Sequence, residues 1–67
     1  MTNSLKQSLY QEIADRERCP IDILYRIAEN QGHKHETASR KLRELTSEGL
    51  VLPNFTDKGA INGYYLI

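Results

Sequence analysis

The stretch from Ile27 to Val51, IAENQGHKHETASRKLRELTSEGLV, decides how this chain folds. Gly32 follows the polar pair Asn30-Gln31 and supplies the left-handed backbone conformation that ends a helix and turns the chain. Beyond it, Ala38, Leu42 and Leu45 fall within one narrow sector at about 100° per residue, the pattern of a helix with a single buried stripe. Ala28, on the segment before the glycine, is small enough to let two helices approach closely. Gly49-Leu50-Val51 ends the second helix, and Leu50 and Val51 are read as continuing inward. The spacing predicts two short helices set around a glycine turn, the second starting near Lys34 and running to about residue 48.

Reading outward, Ser4 and Gln7 have capping-box spacing, and Leu5, Leu9 and Ile13 recur every four residues with Ala14 beside the last. This predicts a first helix over about residues 5–16. Asp15 to Arg18 form a polar link, and Cys19 precedes Pro20, which biases it towards extended backbone. Pro20 or Asp22 opens a helix over about 20–31 whose Leu24, Ile27 and Ala28 face the core. After Gly49 the texture changes to Val51-Leu52-Pro53-Asn54-Phe55, a turn at Asp57-Lys58-Gly59, and Gly63-Tyr64-Tyr65-Leu66-Ile67. That is a two-stranded antiparallel hairpin over about 50–67, with Pro53 on an edge or strand end because it donates no ladder bond. Tyr64 and Tyr65 point to opposite faces, one into the core. The fold class is mainly α with a small β hairpin, three helices followed by the hairpin in a single domain over 1–67.

Sixty-seven residues leave room for one small core. Nine Lys and Arg balance nine Asp and Glu, so composition argues neither for disorder nor for a polyanion-coating tail. The basic groups gather weakly near the glycine turn, where residues 32–52 hold Lys34, Arg40, Lys41 and Arg43 against Glu36, Glu44 and Glu48. Cys19 is alone, which excludes an intrachain disulfide and a multi-cysteine zinc site and suits a reducing compartment. Met1-Thr2-Asn3-Ser4 lacks a basic region followed by an apolar run, and no stretch approaches the ~20 apolar residues of a membrane span. A soluble cytoplasmic chain, with no membrane partner, is the expectation. His33-Lys34-His35 invites a metal reading, but two imidazoles and a distant cysteine make no recognised ligand spacing. Nucleophile elbows, phosphate-cradling glycine loops and paired-carboxylate motifs are missing. No catalytic residue, cofactor or metal is expected, and the chain is not read as an enzyme.

Ala28, Gly32, Thr37-Ala38-Ser39-Arg40, Leu42, Leu45 and Gly49-Leu50-Val51 together carry a resemblance. Residues 20–67 resemble the winged helix-turn-helix domains of bacterial, archaeal and phage transcription regulators. Such domains commonly have an apolar residue after the turn glycine and then a Ser or Thr cap, where this chain has His33 and Lys34; Glu36 sits near the positive helix end instead. The resemblance implies sequence-specific binding of double-stranded DNA, with the third helix in the major groove and the wing alongside, in transcription regulation or a phage or plasmid process.

The residues fit that expectation chemically. Opposite Ala38 stand Glu36, Arg40, Arg43 and Ser47, flanked by Thr37 and Ser39. Arg pairs bidentately with guanine, Glu accepts from cytosine, and Ser or Thr serve bases or phosphates. Lys34 and His35 lie at the first turn, suited to phosphate or base edges, and the resemblance places Lys58 at the wing tip near a phosphate or minor groove. The blander alternatives are i to i+4 ion pairs of Arg40 with Glu36 and Glu44 on a solvated face, and a Lys58 that only keeps a turn soluble. Zero net charge also leaves open a winged-helix module that binds a protein partner rather than DNA. Because one such domain spans few base pairs, a monomer in solution with a second copy joining it on DNA is expected.

Overall fold

In the computed structural model, which describes residues 4–67, Ser4 opens the first helix, α1 (Leu5–Arg16), with both halves of a capping box. Its Oγ accepts from the Gln7 N–H at 3.2 Å, and its own N–H donates to Gln7 Oε1 at 3.4 Å. Met1, Thr2 and Asn3, read above as the start of an unexported chain, lie outside the described residues. Strand β1 (Arg18–Pro20) leads into α2 (Ile21–Asn30), then come α3 (His35–Ser47), β2 (Val51–Phe55) and β3 (Ile61–Leu66). The architecture is three helices and a small antiparallel sheet, as the helical periodicity and the strand-forming C-terminal stretch require.

Both helices of the central pair end in the same way. After α2, the His33 N–H donates to the Ala28 carbonyl and the Gly32 N–H to the Glu29 carbonyl, each at 2.9 Å, with Gly32 at φ +82°. This is the Schellman arrangement, and it uses two of the four carbonyls that a helix end leaves without partners. After α3, Leu50 and Gly49 repeat it on the carbonyls of Leu45 and Thr46. The four residues 31–34 joining the two helices are therefore held by hydrogen bonds rather than by a side-chain cap on α3, where Lys34 supplies none.

The hairpin expectation needs extending, because the sheet has three strands in the order β1-β3-β2. Arg18, read as the end of a polar link, Cys19, expected to be extended, and Pro20, a candidate opening residue of the second helix, pair antiparallel with Tyr65, Tyr64 and Gly63. Gly63 is what allows the approach: a Cβ there would sit 2.6 Å from the Cys19 carbonyl oxygen. Pro53 lies on β2, an outer strand of the sheet, as its missing donor demands. The loop Asp57-Lys58-Gly59 is closed by the Thr56 N–H on the Ala60 carbonyl at 2.7 Å and the Gly59 N–H on the Thr56 carbonyl at 2.9 Å, with Gly59 at φ +84°. That combination is a three-residue hairpin loop with a glycine bulge.

The core gathers one stripe from each helix: Leu5, Leu9 and Ile13 of α1, Leu24 and Ala28 of α2, and Ala38, Leu42 and Leu45 of α3. Cys19, Val51 and Tyr64 close it from the sheet. Tyr64 is buried and Tyr65 half-buried, in line with strand alternation. Leu50 departs from its expected inward direction and is exposed. It follows Gly49 in the helix-ending turn and precedes β2, whose first residue, Val51, is the one that is buried.

Candidate nucleic-acid interface

α3 presents its outer stripe because Ala38, Leu42 and Leu45 are fixed in the core, and a helix buried along one stripe must expose the opposite one. On that side Glu36, Ser39, Arg40 and Arg43 line one shallow depression of about 260 Å³. Glu36, Arg40 and Arg43 are exposed, and Ser39 and Thr37 are half-buried. Thr37 does not reach the depression; its backbone N–H bonds to the Lys34 carbonyl in the first turn.

The ion pairs partition the charge. Among the described residues, Lys6 reaches Glu48 at 2.8 Å and Glu44 at 3.8 Å, Lys41 reaches Glu44 at 3.4 Å, and Arg16 reaches Glu12 at 3.4 Å. Glu44 and Glu48 are thus compensated on the side of α3 that faces α1. Neither Arg40 nor Arg43 forms an ion pair among the described residues, so the pairs of Arg40 with Glu36 and Glu44, the blander alternative for this face, do not form. A chain of zero net charge therefore carries two unpaired guanidinium groups on the exposed stripe of one helix.

His35 and Ser39 have partners that the sequence did not reveal. The His35 ring stacks on Tyr25, with centroids 4.2 Å apart and planes 10° from parallel, while its Nε2 meets the Glu29 carboxylate. One turn further, the Ser39 hydroxyl lies 3.3 Å from the Tyr25 hydroxyl. Tyr25 and Glu29 of α2 therefore hold the first turns of α3, which begins without a side-chain cap. His35 and Ser39 act in the helix-to-helix joint as well as standing beside the outer stripe. Only the i to i+4 spacing of Tyr25 and Glu29 on α2 hinted at a shared face.

Burial pushes the Tyr64 phenol above its ordinary value, and Tyr25 adds to this, while the Arg43 charge pulls the other way. Lys34 is exposed at the start of α3. Lys58 is exposed in the hairpin loop, held by its backbone N–H on Thr56 Oγ1 at 3.3 Å, and it does not line the depression formed by Glu36, Ser39, Arg40 and Arg43.

No described helix is long and apolar enough to cross a membrane. Compared with family models, with curated proteins and with solved structures, the chain matches none.

Proposed function

We propose that this chain binds double-stranded DNA, laying the exposed stripe of α3 in the major groove with the hairpin loop beside it. The observation that carries the reading is the pair of unpaired guanidinium groups, Arg40 and Arg43, sharing one depression with Glu36 and Ser39. A helix fits the major groove, where such groups meet guanine, cytosine and phosphate. The compensated acids of α3 lie on its other side, so local charge at the groove is more favourable than the overall balance suggests. In this reading Arg40 and Arg43 contact bases, Lys34 and Lys58 contact phosphates, and His35 and Ser39 chiefly fix the helix. The biological setting that follows is regulation of transcription, or a phage or plasmid process on DNA, in the cytoplasm.

Selection of bound duplexes from a random-sequence library tests this directly. Enrichment of a short common sequence supports the reading, and its arrangement shows whether one copy or two inverted copies occupy the site. Recovery of no preferred duplex counts against it.

A second reading has its own observation. Leu50, Leu52 and Ile67 are exposed by 38%, 39% and 65%, and strand alternation sets Leu52 on the sheet face away from Tyr64. Apolar side chains on an uncovered sheet face suit a protein partner, including a second copy.

A further inference from the structure

The hairpin carries a second apolar feature that the major-groove reading leaves unused. Phe55 is 57% exposed and Ile61 39% exposed, and the two are opposite each other across β2 and β3. The pairing shifts register between Asn54 and Phe55, with Asn62 the extra residue on β3; β2 itself is continuous, and its alternation puts Phe55 on the sheet face of Val51 and Pro53. Burial falls along that face, from a fully buried Val51 through a half-buried Pro53 to an exposed Phe55. The hairpin therefore runs past the helices, and its last apolar pair is uncovered. Phe55 is about 7 Å along the strand from Pro53, which pairs with the buried Tyr64. Beyond the pair stands Lys58, in a loop whose one acid is Asp57. Two side chains at the end of a hairpin that carries Lys58 are too small for the core of a protein interface, which needs about 800 Å² per partner. They match the one or two apolar side chains that minor-groove proteins push between base pairs.

We infer that Phe55, backed by Ile61, is a wedge that enters the minor groove beside the α3 site and partly unstacks one base step, bending the duplex. The inference rests on the groove-binding reading of α3. Phe55 supplies the flat apolar surface that replaces a base neighbour, and Ile61 holds its ring from across the hairpin. Lys58 meets the phosphate beside the opened step. Flexible pyrimidine–purine steps such as TA yield most easily, so a preference for such a step arises at a position that no hydrogen bond reads.

The test uses the whole chain and a duplex recovered by selection, labelled at both ends for energy transfer and carrying 2-aminopurine in turn at each step flanking the preferred sequence. Binding is expected to bring the ends closer and to raise the 2-aminopurine signal at one step. Phe55→Asn should abolish both changes and weaken binding roughly tenfold, whereas Phe55→Leu should keep the bend. Circular dichroism of each variant separates these effects from loss of fold. If the duplex binds, and Arg40→Ala weakens it, but it stays straight with no base unstacked, the wedge is refuted while the groove reading stands. If no duplex binds at all, both fall.

Discussion

Arg40 bears most directly on the DNA reading, because it is exposed, unpaired among the described residues, and central to the outer stripe of α3. Arg40→Ala is expected to weaken specific duplex binding by about 1–3 kcal/mol. The melting temperature should hardly move, since no ion pair is lost. Equal affinity in a titration removes Arg40 from the interface. Gly63 presents the opposite case, a residue with no chemistry whose substitution should matter greatly. In Gly63→Ala the new Cβ meets the Cys19 carbonyl oxygen at 2.6 Å, and all three atoms nearest to it are backbone of Cys19 and Pro20 in a paired ladder. We expect a loss of about 2 kcal/mol or more, within the range of overpacking. Faster labelling of the buried Cys19 thiol should accompany it. An unchanged melt in Gly63→Ala shows that β1 does not hold its place.

At the scale of elements, the joint between α2 and α3 is the feature that orients the exposed stripe of α3. α3 lacks the N-cap that contributes ~1 kcal/mol in other helices, and the stack of His35 on Tyr25 with the Glu29 contact takes its place. His35→Ala should therefore lower stability by about 1 kcal/mol and weaken DNA binding through the helix position. His35→Phe, which keeps the stack, should recover most of both in melting and binding assays. If His35→Phe binds as poorly as His35→Ala while melting like the parent, His35 touches DNA directly. The three helices were legible in the sequence because each carries a repeated apolar stripe and a recognisable end: Ser4 with Gln7, Pro20, Gly32 and Gly49. Strand β1 was not, since Arg18-Cys19-Pro20 has neither β-branched residues nor alternation, and it pairs only because β3 offers an edge with a glycine in it. The exposure of Leu50 is not legible in the sequence, because its direction depends on the helix ending rather than on its apolar character. The outer stripe of α3 followed from periodicity alone. The Tyr25–His35–Ser39 contacts did not, because they depend on how two helices meet.

For the whole molecule, charge and burial set the response to pH. Burial pushes the Cys19 thiol above its ordinary 9.0 and the Tyr64 phenol above its ordinary 10.0. The bond to Glu48 likewise raises Lys6 above 10.5. In each case the folded chain holds its proton more tightly than the unfolded chain does. The stabilisation is complete below the ordinary values and is lost as pH rises through the higher folded-state values. The melting temperature should thus change little between about pH 7 and 9 on account of these groups and decline above that. Cys19→Ala and Tyr64→Phe, referred to their own values at neutral pH, should show a shallower decline. A melting temperature that climbs through this alkaline range contradicts the assignment.

The central claim, that an electrically neutral chain places local positive charge against DNA, is tested most directly by titrating a selected duplex at a series of salt concentrations. If two to four of Lys34, Arg40, Arg43 and Lys58 displace counterions, the logarithm of the binding constant should fall against that of salt with a slope of roughly −2 to −4. Affinity independent of salt, or no binding at low salt, contradicts the account.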